Sequence, residues 1–436
     1  MTGDNLSALA KGITLPAVIA LGLGTAVGVA VFSIVAPATA LAGPGMLIAV
    51  GLAALPMAVI ALTYAFMGSA LPASGASYEW PRRFLHPFIG FLVAWMRIAG
   101  SVGAILVMSL ILVRYVSSLT PLPTKPAMAG AFLLVFLANY RGIGIAARLQ
   151  TLLMGALVAL FVLFTAWGLP SVDSANFRPV LPHGWHGVLA AVPLLIGLFF
   201  GLEAATEAGE EVANARTAIP LGIVLSIGSA ILLYLCVSAV AIGVAGPAAL
   251  GASQTPVLDA AAVFMGGLAK PVMITAAIVA IGKSLNALFI IYSRNLYAMG
   301  RSGVLPAALG KVHPRFGTPH IALITALATC CLALLLPMTV TALFLAVNIP
   351  TLFKYAATCL SAARVAARHP EIHQAARFRL SRGTTQFWAY IGATAAAAVI
   401  LLGFSTDWHP YAALGVWVLA GIGWYLAWPR LNRNFQ

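Results

Sequence analysis

The chain has 436 residues, of which 61% are hydrophobic and 8% are charged, and its mean hydropathy is +1.00. A soluble globular domain carries about 25% charged residues, so this composition excludes one and indicates a polytopic α-helical membrane protein. The net charge of +14 therefore points to a lipid bilayer as the partner and not to nucleic acid.

Apolar segments long enough to cross a membrane recur along almost the whole chain. A membrane-spanning helix needs roughly 20 residues, and by that rule there are about twelve such segments. Breaks and charges place them at 12–36, 43–69, 87–117, 126–140, 149–169, 185–209, 218–246, 267–292, 319–337, 341–363, 387–405 and 409–428. We therefore predict an all-α fold with about twelve transmembrane helices.

Basic residues are distributed unevenly between the predicted loops. With the N-terminus inside, 17 of the 24 Lys and Arg residues fall in cytoplasmic loops and ends, 3 fall outside and 4 lie within segments. The positive-inside rule then predicts a multi-pass protein of the cell (inner) membrane with both termini cytoplasmic. The first apolar run is longer than that of a signal peptide, so we expect no cleavage.

Glycine interrupts the first segment at Gly22, Gly24 and Gly28. Glycine lets the backbone leave the helix and approach a ligand closely. The half-helix that follows presents free N–H groups and a positive dipole end, which suit a carboxylate. Close packing of helices through small residues is the alternative explanation. The residues predicted to bind the substrate here are Ala26, Val27, Gly28, Val29 and Ala30.

Gly197 and Gly201 break the sixth segment at the matching place in the second half. Paired breaks of this kind indicate the binding site of a secondary transporter built from inverted repeats. We predict repeats at 1–170 and 171–368, five helices each, and a loop with two further helices at 369–436. The residues predicted to meet a substrate amine are Phe199, Phe200, Gly201 and Leu202.

Three glutamates follow the second break. Glu203 lies near the middle of the membrane, where a carboxylate is functional by default, and it is predicted to carry a proton unless it is a structural strut. Glu207 and Glu211 follow at i+4 and i+8, so we expect all three on one helical face. Glu207 is a further proton-coupling candidate. Glu210 and Glu211 are expected to reach the water interface and pair with cytoplasmic arginines.

Basic residues within the segments are candidates for coupling. Lys283 lies deep in the eighth segment, where its ammonium is predicted to replace a bound cation and to carry a proton. Asn286, one turn later, is then expected to face the substrate. Lys354 in the tenth segment is expected to pair with Glu203 or Glu207. Arg97 in the third segment is expected to cap backbone carbonyls near the cytoplasm.

Four motifs in chain order resemble those of the amino acid–polyamine–organocation superfamily. They are Gly22-x-Gly24-x-x-x-Gly28, Pro72-Ala73-Ser74-Gly75-Ala76-Ser77-Tyr78, Phe200-Gly201-Leu202-Glu203 with the loop after it, and the stretch 293–306. The resemblance implies the leucine-transporter-like fold, with discontinuous helices one and six in two inverted repeats. It also implies transport of amino acids or related amines.

The sequence departs from the pattern of this superfamily at several positions. Ala30, Ala215 and Ser302 stand where the family usually has Gly, Pro and Asp. Many proton-coupled relatives carry a fifth-helix lysine, and here Leu157 occupies that place. Lys283 is predicted to supply the missing charge, which disfavours coupling to sodium.

These patterns together predict a secondary transporter of amino acids or close derivatives, driven by protons or working by exchange. Two alternatives remain open, a transporter of amines or polyamines and an amino-acid sensor that does not transport. No nucleotide-binding loop, metal-binding motif or nucleophile elbow occurs in the sequence, so we expect no enzyme activity, no cofactor and no metal. The expected partner is a small-molecule amino acid or amine.

Overall fold

The computed structural model describes residues 11–27, 34–117, 120–253, 255–335, 340–406 and 409–433. These residues form helices and turns, with isolated β-bridges only at Ile13–Val212 and Ser74–Ala208. Seven helical stretches of this part of the chain are long and apolar enough to cross a membrane, and three shorter helices are also apolar. The prediction of an all-α polytopic membrane protein is confirmed.

The described residues of the first half of the chain form eight α-helices. They are α1 (Leu15–Ala26), α2 (Val35–Ala42), α3 (Met46–Ala70), α4 (Ala76–Phe84), α5 (Pro87–Ser117), α6 (Thr124–Tyr140), α7 (Ile143–Gly168) and α8 (Gly184–Ile196). The predicted first segment is therefore split between α1 and α2. Gly28, Val29 and Ala30, which were predicted to bind a carboxylate, lie outside the described residues.

The second half begins after the second glycine break. Its α-helices are α9 (Ala215–Ala245), α10 (Pro247–Ala252), α11 (Pro256–Met265), α12 (Ala269–Arg301), α13 (His320–Ala333), α14 (Val340–Arg368), α15 (Pro370–Ala375), α16 (Arg382–Thr406) and α17 (His409–Arg433). Short 3₁₀ helices connect some of them. The helices α10, α11 and α15 lie in regions where the hydropathy pattern predicts only loops.

The chain after α8 does not return to an α-helix before α9. It forms 3₁₀ helices at Gly197–Phe199, Ala204–Glu207 and Gly209–Glu211. The expectation that Glu203, Glu207 and Glu211 share one α-helical face is therefore wrong. In the 3₁₀ helices the amide of residue i+3 donates to the carbonyl of residue i, as Thr206 does to Glu203 at 2.9 Å, and residues four apart no longer align.

Helix α1 lies in the interior, between α7, α9 and α12. Small residues allow this close approach. A Cβ atom on Gly24 would lie 1.7 Å from Nε2 of Gln150 in α7, and one on Gly222 in α9 would lie 2.2 Å from Cγ1 of Val18. Helix α1 is thus packed closely against α7 and α9.

Candidate functional site

The two helix breaks meet each other in the structure. The hydroxyl of Thr25 donates to the carbonyl of Gly201 at 2.5 Å. The hydroxyl of Tyr234, on α9, donates at 3.0 Å to the carbonyl of Ala26 and at 3.2 Å to that of Leu198. Backbone carbonyls from both breaks therefore converge on one buried place.

Gly201 is required at this junction for two reasons. Its φ angle is +94°, a conformation that residues with a side chain rarely adopt. A Cβ atom there would also lie 2.5 Å from Cβ of Thr25. Glycine thus allows the second break both to turn and to touch the first.

Lys283, which belongs to α12, contacts the backbone of the first break. Its ammonium donates to the carbonyl of Gly24 at 3.1 Å and to that of Val27. The neighbouring hydroxyl of Ser284 donates to the carbonyl of Gly24 at 2.7 Å. Lys283 is 0% exposed, and within the described residues it forms no ion pair with an acid. The ammonium therefore sits among carbonyl oxygens as a bound cation would.

Glu203 is paired with Lys354, and of the two partners expected for Lys354 the structure selects Glu203. The ammonium donates to Oε1, and the hydroxyl of Tyr355 donates to Oε2 at 2.9 Å. The same hydroxyl accepts from the amide of Gly201 at 3.0 Å. The ammonium also lies 4.5 Å from the centre of the Tyr355 ring and 5.7 Å from that of Tyr64. The ion pair is thus tied to the second break.

Glu207 faces α4 and α5. Its carboxylate accepts from the hydroxyl of Ser77 and, at 3.3 Å, from the amide of Ser77. Nη1 of Arg97 lies 3.4 Å from its Oε1. The expectation that Arg97 caps backbone carbonyls is therefore wrong, because a buried carboxylate beside it attracts the guanidinium more strongly.

Glu210 and Glu211 pair with arginines of α12, as expected. Glu210 and Arg301 form a partly exposed pair at 3.1 Å. Glu211 is fully buried and was wrongly expected at the water interface. Nε and Nη2 of Arg294 each donate to its carboxylate at 2.7 Å. Its carbonyl accepts from the amides of Gly12 and Ile13 at 3.1 Å, so the start of α1 covers it.

Asn286 takes part in a chain of amides. Its Nδ2 donates at 3.0 Å to Oε1 of Gln150, and its Oδ1 accepts at 3.0 Å from Nδ2 of Asn139. Nε2 of Gln150 then donates to the carbonyl of Ala20 in α1 at 2.9 Å. The structure thus joins Asn286 to α6, α7 and α1, and contact with a substrate stays a prediction.

The family of the chain follows from comparison with known proteins. Residues 13–425 match the family model described as amino acid permease. The chain belongs to this amino acid permease family. The resemblance to the amino acid–polyamine–organocation superfamily is confirmed, and the protein is a multi-pass membrane transporter of amino acids and not an enzyme.

Several curated relatives are similar to this permease over about two thirds of their length. An uncharacterized transporter of Mycobacterium tuberculosis (strain ATCC 25618 / H37Rv) is 32% identical over 305 residues, which cover 69% of this chain and 68% of that protein. The branched-chain amino acid permease BcaP of Bacillus subtilis (strain 168) is 29% identical, covering 69% and 70%. The methylthioribose transporter of the same organism is 30% identical, covering 69% of each chain.

The residues predicted for the second break of the permease differ in exposure. Phe199 and Leu202 are buried, whereas Phe200 is partly exposed. The ring of Phe199 lies 6.0 Å from that of Tyr234, and the ring of Phe200 lies 5.9 Å from that of Tyr355. Of the two phenylalanines at this break, Phe200 is thus the one that is partly exposed.

The sequence patterns do not predict Tyr234, Tyr355 and Gln150 as parts of the permease site. Each is a hydrogen-bonding side chain inside a long apolar segment, where its polar group needs a protein partner. That signal is present but does not say which helix supplies the partner. Among the described residues no cluster of His, Cys, Asp and Glu is suited to a metal ion.

Proposed function

We propose that this permease carries neutral amino acids without sodium, and that the Lys283 ammonium takes the place of a bound cation. One observation carries the proposal. The ammonium lies between the carbonyls of Gly24 and Val27 at the first break. No acid of the described chain pairs with it. A positive charge there repels a sodium ion, and the ammonium leaves it no empty set of carbonyl ligands.

The substrate carboxylate is proposed to bind at residues 26–30. The N-terminus of a half-helix attracts anions, and α2 follows this stretch. Lys283, whose ammonium donates to the carbonyl of Val27, adds a positive charge next to this stretch. The substrate amine is proposed to bind carbonyls at 199–202, which the contact between Thr25 and Gly201 brings next to the first break.

The charges near the breaks favour an amino acid over an amine or polyamine. Glu203 pairs with Lys354, and Glu207 faces Arg97. With these charges compensated, Lys283 leaves a net positive charge beside the site, and this opposes a substrate that is only cationic. We propose branched-chain amino acids as the first substrates to test, because a relative is named for them.

Coupling is proposed to run through Lys283, either by proton transfer or not at all if the protein exchanges substrates. Among Glu203, Glu207 and Lys283, only the lysine lacks an oppositely charged partner in the described chain. It can lose its proton without leaving a buried counter-charge unpaired, whereas protonation of Glu203 leaves Lys354 unpaired. We therefore rank Glu203 and Glu207 below Lys283 as proton carriers.

The proposed orientation places the N-terminus and C-terminus in the cytoplasm, because Lys and Arg are concentrated on that side. In it the repeats 1–170 and 171–368 have opposite orientations in the membrane, and residues 369–436 lie outside the repeats. Alternating access then moves the half-helices against the rest of the bundle. In this orientation the pairs of Glu210 and Glu211 with α12 lie at the cytoplasmic end.

Uptake into proteoliposomes tests this function. Radiolabelled leucine, isoleucine, valine, putrescine and methylthioribose are offered with an imposed pH gradient, with a sodium gradient, or with unlabelled substrate inside. We expect accumulation of a neutral amino acid that a sodium gradient does not change. Accumulation of putrescine alone, or uptake that requires sodium, would contradict the proposal.

A further inference from the structure

Two buried ion pairs in the segment after the second break differ in how completely they are satisfied. Arg294 donates from Nε and Nη2 to Glu211 at 2.7 Å and from Nη1 to Ser293 at 2.9 Å, and its side chain is 0% exposed. This arginine uses its whole fork on protein groups. Such an arrangement is that of a fixed structural bridge.

Arg97 is held much more loosely. Its closest approach to an acid is the 3.4 Å between Nη1 and Oε1 of Glu207, and its buried Nε has no hydrogen-bond partner in the described part of the chain. A buried N–H without a protein partner costs free energy unless a ligand, a water molecule or another state satisfies it. The Arg97 side chain also stays 11% exposed, so it is not sealed.

The pair of Arg97 and Glu207 lies between the breaks and the start of α1. Glu207 follows Glu203, which is tied to the second break, and precedes Glu211, whose carbonyl is covered by the amides of Gly12 and Ile13. A substrate that leaves the breaks toward the start of α1 passes the level of Glu207. The loosely held pair is therefore on the side of the proposed site that is nearer the start of α1.

We propose that Arg97 and Glu207 form a second binding site for the head group of the amino acid. An amino acid carries one carboxylate and one ammonium, so it can replace each partner of the ion pair by a group of the same charge. Its carboxylate pairs with the guanidinium fork of Arg97, which matches carboxylate geometry, and its ammonium pairs with Glu207. This inference rests on the proposed function, because it takes the substrate to be an amino acid.

The exchange keeps the buried charges balanced throughout. Glu207 remains anchored by the amide and hydroxyl of Ser77 while its cation changes from Arg97 to the substrate ammonium. Opening the pair without a ligand would leave two buried charges alone, which is costly. A ligand with only one of the two groups compensates only one of the charges, so it should bind more weakly than an amino acid while still competing for that one partner.

The test uses proteoliposomes in which accessibility of a C-terminal tag reports which side of the protein faces out. Transport of leucine is measured from each side for the wild type, Arg97→Gln and Arg97→Lys. Arg82→Gln is the matched control, because Arg82 forms a partly exposed pair with Glu79. A second probe is 4-methylpentanoate, which is leucine without its amino group.

We expect Arg97→Gln to raise the half-saturating leucine concentration on the side of the α1 start by about tenfold or more, the loss expected when a charged partner is removed. The opposite side should change less than about twofold, and Arg97→Lys should lie between. Inhibition by 4-methylpentanoate from the α1 side should disappear in Arg97→Gln and persist in Arg82→Gln.

Equal changes on both sides, or inhibition that persists in Arg97→Gln, would show a structural role and overturn the inference. If Arg97→Gln does not fold, Arg97→Lys decides by the same comparison. A wild type that transports no amino acid refutes the proposed function instead. The two failures are therefore distinguishable.

Discussion

Tyr234 donates its hydroxyl to the carbonyl of Ala26, 3.0 Å away, at the end of α1. The same hydroxyl lies 3.2 Å from the carbonyl of Leu198 in the second segment. One side chain from α9 therefore holds the ends of both broken segments. We expect it to fix the distance between the proposed carboxylate and amine sites.

Tyr234→Phe should weaken substrate binding while leaving the fold intact. Loss of one hydrogen bond is worth about 0.5–1.5 kcal/mol, so the half-saturating concentration of leucine should rise about twofold to thirteenfold. Uptake kinetics in proteoliposomes measure this. Tyr292→Phe is the control, because the Tyr292 hydroxyl is also buried but bonds Thr329, away from the breaks. Equal effects of the two variants would remove Tyr234 from the site.

The two arginines of α12 should differ sharply in their contribution to stability. Arg294→Gln leaves Glu211 buried without a cation, which costs about 3–5 kcal/mol. Arg301→Gln breaks a partly exposed pair, which is worth about 0–1 kcal/mol. Thermal unfolding in detergent compares the two. A melting temperature of Arg294→Gln close to that of Arg301→Gln would contradict the assignment of a structural bridge.

Gly24→Ala should destabilise the contact between α1 and α7. The added methyl group would overlap Nε2 of Gln150, at 1.7 Å, and overpacking of this kind costs about 1–3 kcal/mol. The displaced amide would also lose its bond to the carbonyl of Ala20. Gly155→Ala is the control on α7, where a Cβ atom meets no other atom within 4 Å. Thermal unfolding should show a loss only for Gly24→Ala.

The pair of Glu203 and Lys354 should behave as a unit in a double-mutant cycle. Glu203→Gln alone leaves the Lys354 ammonium buried without its counter-charge, at a cost of about 3–5 kcal/mol. Glu203→Gln with Lys354→Met removes both charges and should recover most of that stability. If the losses in unfolding free energy of Glu203→Gln and Lys354→Met simply add in the double variant, the residues are not coupled.

The sequence predicts the broken helices because glycine and hydropathy are local signals. Gly201 and the split between α1 and α2 illustrate this, since neither depends on knowing a distant partner. The carboxylates are different. Glu203, Glu207 and Glu211 were expected on one helical face, but the backbone between the breaks and α9 turns through short 3₁₀ helices.

Partners across the bundle are the part that no local pattern specifies. Lys354 had two candidate acids, and only the tertiary arrangement selects Glu203. Arg97 meets Glu207 because α5 packs near the 3₁₀ region, which hydropathy does not encode. Trp95 and Trp417, far apart in sequence, donate their indole N–H groups to each other's carbonyls at 2.9 and 2.8 Å. Such reciprocal contacts depend on how α5 and α17 pack.

Lys283 is the residue whose charge the proposed sodium-independent function requires. Leucine uptake is measured in proteoliposomes at matched protein density, with and without a sodium gradient, for Lys283→Met and for Lys270→Met. Lys270 lies on the same helix but is exposed, so it controls for the loss of a lysine from α12.

We predict that Lys283→Met loses at least about 90% of uptake at all sodium concentrations, as expected when a buried charge that organises carbonyl ligands is removed. Lys270→Met should transport like the wild type, and both variants should show monodisperse protein by size-exclusion chromatography. Wild-type uptake by a folded Lys283→Met variant would contradict the proposal that this ammonium serves as the cation of the site.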